Sequence, residues 1–281
     1  MKKKVLKVLA LILAIVLIIG IGLFANALVG NPVSKFLATK SAEEHIEKNY
    51  ADKDFQIEEV NYDFKTGGYY ARITSPTSID SHFSLSFDWM GKLVRDCYDD
   101  DVTSGWNTRR RINDEYKEIV DKVFANNQFP GFLDISDGLI QFTSDENVED
   151  PSIPEYAIIT ETLKIDAVYD IKELGAKAGK LTVYIDDKTV TEEKLAEILL
   201  TIKTNFDNSG VTFYAIDCVL EEPKTEMEAD GTPKESPRVE VMDFLYSDIY
   251  EEGLVERVRE ANQKAIEYNE EQDKIKEAEI S

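Results

Sequence analysis

Cysteine and histidine are scarce, with two of each in 281 residues. A thiolate cluster or a dedicated zinc site needs more ligands than that. His45 and His82 stand 37 positions apart, so the two-histidine helix turn of a metalloprotease is missing, and no H-E-x-x-H exists. No G-x-S-x-G is present either, which removes the nucleophile elbow of the α/β-hydrolases. Proline and glycine, at 8 and 14 residues, are too few for a fibrous or low-complexity chain. Positive charge is short as well: 32 Lys+Arg face 55 Asp+Glu, for a formal charge of −23. What remains is 43% hydrophobic and 10% aromatic, enough for one or two domains with real cores.

The one long apolar run lies at the start. Lys2, Lys3, Lys4 and Lys7 precede Val8 to Val29, which only Asn26 interrupts. As a helix these 22 residues would extend roughly 33 Å, about the thickness of a bilayer's hydrocarbon core. The reading is a transmembrane anchor over 1–30, with the lysine end cytoplasmic and the chain after Gly30 extracytoplasmic. A rival remains open: Ala25-Asn26-Ala27 fits a signal-peptidase site, and cleavage after Ala27 would release a secreted protein. The stretch Val8 to Phe24 is longer than the ~7–15 apolar residues usual in a signal peptide, which favours the anchor. Without its four lysines the outer region carries −23 − 4 = −27. Such a surface repels nucleic acid, so none is expected as a partner.

Beyond the anchor, periodicity predicts two α+β modules with antiparallel sheets, 31–127 and 128–281. Asn31-Pro32 opens a helix running to about Tyr50. Strands are expected over Phe55–Tyr62, Tyr69–Ile73 and His82–Trp89, the last with Phe83, Leu85, Phe87 and Trp89 on one face. A helix from about Gly105 to Ala125 carries Ile112, Tyr116, Val120 and Val123 at helical spacing and completes the first module. In the second module, strands are expected over Ile135–Phe142, Leu181–Ile185, Val211–Leu220 and Arg238–Leu245. Thr191, followed by Glu192 and Glu193, marks a capped helix that ends at Asn208-Ser209-Gly210. A long charged helix over about 252–279 closes the chain. Its stripe Leu254, Val258, Ala261, Ala265, Tyr268, Gln272 and Ile275 is expected to pack on the module's own sheet.

The helix at Ala42–Tyr50, joined to Phe55–Arg72 and His82–Trp89, resembles helix-plus-meander modules of membrane-anchored proteins from Gram-positive bacteria. The stretches Ala178–Ile185, Val211–Asp217 and Tyr246–Leu254 resemble the uncharacterised YfjL-like family. That resemblance spans most of 31–281 and implies a single-pass bacterial membrane protein, with no assigned activity, cofactor or catalytic residue to transfer.

Chemistry is sparse. Cys97 could pair with His82 or His45 as a nucleophilic dyad, but no spacing supports it. Asp96 and Asp99–Asp101, and separately Asp145, Glu146, Asn147, Glu149 and Asp150, offer oxygen ligands for calcium. Neither run has the EF-hand glycine and glutamate, and solvated loops account for both. Arg109-Arg110-Arg111 beside Trp106 is the one basic cluster, suited to phosphate or carboxylate groups or, more simply, to neutralisation by nearby acids. Cys97 and Cys218 could form a disulfide outside the cell, though a buried Cys218 thiol is the simpler account. No catalytic, cofactor-binding or metal-binding residue is nominated, and no cofactor is expected. The expected function is that of an anchored extracytoplasmic binding or regulatory protein. Its partners are the lipid bilayer through residues 8–29 and an unidentified protein or envelope component. The alternative is a hydrolase using Asp/Glu chemistry.

Overall fold

The computed structural model describes residues 2–223 and 236–280; within the first helix, the side chains at 2–6, 8–10, 19 and 23–27 lie outside the description, as do those at 273 and 277–280 in the last. The polar stretch Glu221 to Pro237, which the sequence places as a loop joining the strands at Val211–Leu220 and Arg238–Leu245, falls largely outside the described residues. The chain divides into two compact units, residues 1–108 with 164–166, and residues 109–163 with 167–281.

Unit 1 opens with helix α1 (Lys2–Val29) and helix α2 (Pro32–Asn49). Asn31 caps α2, its Oδ1 accepting from the Ser34 N–H at 2.8 Å, and Pro32 occupies the first turn, where its missing N–H costs nothing. A four-stranded antiparallel meander follows: β1 (Gln56–Asp63), β2 (Gly68–Ser75), β3 (Ser78–Phe87) and β4 (Leu93–Asp96), in spatial order 1-2-3-4. Val60, Tyr69, Ala71, Ile73, Phe83, Leu85 and Phe87 alternate onto its buried face, against Ala38 and Ala42 of α2. Trp89 does not join that face. Strand β3 ends at Phe87, the Asp88 carboxylate accepts the Met90 and Lys92 N–H groups in a tight turn, and Trp89 is left exposed.

Among the described residues no helix is long and apolar enough to cross a membrane. Helix α1 is 28 residues long, and its described side chains from Leu11 to Ile18 are all exposed.

Helix α3 (Trp106–Asn126) crosses the division between the units, which falls at 108/109 and not at 127/128. The reason is packing: Ile112, Tyr116, Val120, Val123 and Phe124 all belong to the core of unit 2. That unit continues with β5 (Phe132–Ile140), the short pair β6 (Phe142–Thr143) and β7 (Ile158–Ile159), α4 (Ile171–Ala178), β8 (Gly179–Asp186), α5 (Glu192–Asn208), β9 (Ala215–Glu221), β10 (Arg238–Leu245) and α6 (Leu254–Ile280). Its main sheet has the order β10-β9-β8-β5. The outer pairs are antiparallel, but β8 and β9 run parallel, so this sheet is mixed. Parallel neighbours need a long crossover, and α5 supplies it. Thr191 caps α5 as expected, accepting from Lys194 N–H at 3.2 Å.

One sheet face packs against these helices through Leu181, Val183, Ile185, Ile216, Cys218, Leu220, Val239 and Val241. Gly175 and Gly179 let Tyr116 lie directly on the α4–β8 junction, where any added Cβ would collide with its ring or hydroxyl. The Tyr116 hydroxyl is buried with no hydrogen-bond partner.

Candidate functional site

The other face of the unit 2 sheet is half polar. Lys180, Thr182 and Tyr184 on β8, Asp217 and Val219 on β9, and Glu240 and Met242 on β10 alternate onto it, and the register aligns Tyr184 with Val219 and Val219 with Glu240. Helix α6 forms a wall beside this face. Together with Pro151 and Ser152 they enclose a groove of about 1000 Å³, with Tyr184, Val219, Glu240 and Met242 on the sheet side and Arg257, Glu260, Ala261, Lys264 and Tyr268 on the helix side.

Two polar networks shape it. Glu240 is 4% exposed; its Oε1 takes hydrogen bonds from Arg238 Nη2 and Asn269 Nδ2, both at 2.6 Å, so the buried charge is paired. The Glu240 N–H donates to Asn262 Oδ1 of α6 at 3.0 Å. Along the same face, Lys180 Nζ bridges Asp217 at 2.9 Å and Asp243 at 2.7 Å, and the Tyr156 hydroxyl donates to Asp243 at 2.8 Å. Burial alone would pull the Lys180 ammonium down, but the bonds to Asp243 and Asp217 outweigh it and hold its pKa above the ordinary lysine value. Burial and then the Asp243 bond push the Tyr156 hydroxyl well up, so it stays a donor.

Asp243 sits at a register break in β10 between Val241 and Phe244, with φ +47. An aspartate in the left-handed region is uncommon. Here it is held by its own N–H, which donates to Asp217 Oδ1 at 2.7 Å, and by its carboxylate on Lys180. The bulge turns Asp243 toward the groove, and bulges concentrate where a strand must re-aim a side chain.

The residues singled out in the sequence do not assemble here. His45 Nε2 lies 2.8 Å from Asp96 Oδ2, which also accepts from the Tyr50 hydroxyl at 2.8 Å, and Asn49 Nδ2 reaches His45 Nδ1 at 3.0 Å. The histidine thus serves Asp96, not Cys97, and burial followed by the Asp96 bond drives the Tyr50 hydroxyl up. Both cysteines are free thiols; Cys218 is fully enclosed, and burial pushes it up to about 12. Of the acidic runs, Asp100 pairs with Arg95 at 2.7 Å, Asp99 accepts from Thr103 at 2.8 Å, and Asp150 accepts the Ser152 N–H at 2.8 Å. Among the described residues, no group of three or more His, Cys, Asp or Glu is placed to hold a metal ion. The arginines spread apart: Arg111 binds Glu115 at 3.2 Å and the Ala167 carbonyl at 2.9 Å, Arg110 faces Asp114, and Arg109 lies over the Phe142 ring. Asp114 and Glu115, one helical turn on, are the acids paired with Arg110 and Arg111.

The YfjL-like N-terminal domain matches residues 3–97, and the YfjL-like C-terminal domain matches residues 115–259. The chain belongs to the YfjL-like family. The sheet side of the groove lies within the C-terminal match, while its helix side from Glu260 onward lies beyond the last matched residue. No curated protein matches the chain. Among solved structures it is similar to a DUF5037 family protein from Ruminococcus gnavus ATCC 29149, at 15% identity over 79% of this chain and 98% of the other, with a TM-score of 0.24.

Proposed function

We propose that this YfjL-like chain is a membrane-anchored extracytoplasmic binding or regulatory protein whose ligand seat is the groove of unit 2, and that it performs no catalysis. The observation that supports binding is the groove itself, whose floor and wall mix apolar side chains with charged groups already committed to one another. A general acid or base must gain and lose a proton during turnover. The Glu240 side chain is engaged by Arg238 and Asn269, and that of Asp243 by Lys180 and Tyr156, which suits fixed recognition of a ligand better than proton transfer.

Anchoring rests on α1. Eight consecutive described positions, Leu11 to Ile18, are exposed, a stretch longer than two helical turns, so the apolar surface runs around the whole helix. The four lysines in its first two turns set the cytoplasmic end. Fractionation of the native cells, with mass determination of the amino terminus, tests this part. The expected result is an intact terminus in the membrane fraction and loss of residues beyond 30 to external protease. A chain in the medium that begins at Leu28 would overturn it. For the binding part, any glycosidic or ester turnover that disappears in Glu240→Gln or Asp243→Asn would replace a binding groove with a hydrolase.

A further inference from the structure

We infer that one end of unit 1 is a lipid-contacting collar, in which Val33, Phe36, Phe64, Trp89 and Met90 enter the headgroup region of the bilayer that α1 crosses. The inference rests on the anchoring of α1 proposed above and goes beyond it, because it assigns a membrane surface to the folded unit.

These five side chains come from three separate segments, yet each is between 60% and 68% exposed. Val33 and Phe36 lie in the first turns of α2, Phe64 in the β1–β2 turn, and Trp89 and Met90 in the β3–β4 turn. The structure gathers those segments around the point where α1 ends. Tyr69, at the start of β2, accepts from the Asn31 N–H at 2.7 Å and donates to the Asn31 carbonyl at 3.0 Å. Tyr69 pairs with Phe87, the last residue of β3, and Gly68 lies against the Phe87 carbonyl, so both turns project from the same end of the sheet. Gly91, at φ +80, packs directly on Leu37 of α2, where an added Cβ would stand 2.8 Å from the Leu37 backbone. The β3–β4 turn is therefore fastened to the helix that follows the membrane exit.

Charge selects lipid as the occupant. In a chain of net −23, each apolar group carries an adjoining exposed lysine: Lys35 beside Phe36, Lys65 beside Phe64, and Lys92 after Met90. Among the described residues none of the three lysines is in an ion pair. The neighbouring acids are engaged by their own turns, with Asp63 accepting from Lys65 N–H and Thr66 hydroxyl, and Asp88 from Met90 and Lys92 N–H. Aromatic and aliphatic side chains interleaved with free lysines match the interfacial layer, where rings sit at headgroup depth and ammonium groups reach the phosphates.

The test uses the full chain reconstituted into phosphatidylcholine vesicles containing a minority of phosphatidylglycerol, with the lipid brominated close to the headgroup. The chain has two tryptophans, so Trp106→Phe isolates the Trp89 emission, and Trp89→Phe reports Trp106 alone. Comparison of the unsubstituted chain with Trp89→Phe gives the same answer should Trp106→Phe fold poorly. The expected result is co-flotation with the vesicles and clear quenching of the Trp89 emission by shallow bromine. Co-flotation with Trp89 emission unquenched would overturn the collar and leave the anchor standing. Failure to float would overturn the anchor and the collar with it.

Discussion

In unit 1 a single helix covers an antiparallel meander, and it meets the sheet with Ser34, Ala38 and Ala42. In unit 2, α3, α4 and α5 bring large aliphatic and aromatic side chains to one face of a mixed sheet, among them Leu195, Ile198, Leu199, Ile202 and Phe206. Small residues let α2 approach closely but contribute little volume. The deficit is filled by Tyr50, Phe55, Phe83 and Tyr98, whose ring centroids lie 4.9 to 5.8 Å from one another in tilted and edge-on contacts. Two hydroxyls are the cost of that solution. Tyr50 finds Asp96, and Asp96 in turn takes His45, so the polar cluster in unit 1 follows from how its core is filled. Unit 2 fills its core on one side of the sheet and is free to leave the other side as a groove.

The contrast can be broken at its strongest points. Phe83→Ala removes the ring that touches the other three, and unit 1 is expected to lose about 3–5 kcal/mol, read as an early transition in chemical denaturation. The transition of unit 2 should stay where it is. Lys180→Met leaves Asp217 and Asp243 facing each other without their shared cation, and a loss of about 3 kcal/mol is expected in unit 2. Adding Asp217→Asn to that variant should recover a large part of it.

Alkali sharpens the difference further. In the fold, burial lifts the Cys218 thiol from 9.0 to about 12, and burial with the Asp207 bond lifts the Tyr246 hydroxyl from 10.0 to about 12. A raised folded pKa means that the fold binds the proton more tightly than the unfolded chain. The stability these groups confer is therefore complete below pH 9 and is lost as pH climbs toward 12. Cys218→Ala should make the fall of the unit 2 denaturation midpoint across that window shallower, leaving the part that Tyr246 contributes. The smallest effect has the opposite sign. Tyr116→Phe removes a buried hydroxyl that lacks a partner, and a gain of up to about 1 kcal/mol is expected in the same assay.

Much of this was legible in the chain. The Thr191 cap marks the start of α5, and the strand expected over Arg238–Leu245 is β10. Where the reading failed, a tertiary partner decided. Val211 to Tyr214 resembles strand, but Phe213 packs edge-on to Phe206 and the Tyr214 N–H turns to Gly179, so β9 begins at Ala215. The stripe on α3 was read correctly, while the core it enters was not, since periodicity identifies a buried face and never its partner. The α6 stripe holds through Ala265, after which Tyr268 and Ile275 are exposed. The groove left the weakest trace. Its residues run from 151 to 269 and become neighbours only through strand register, and its best local signal is the polar half of β8 at Lys180, Thr182 and Tyr184.

The bond from the Glu240 N–H to Asn262 has a meaning for crowding. Strand β10 is an edge of its sheet, and an open edge is a template on which another chain can extend the ladder. With α6 packed on β10 and the Asn262 side chain accepting from the Glu240 N–H, that point of the edge is closed to an incoming strand. A side-chain plug of this kind works against edge-to-edge pairing between copies of the chain.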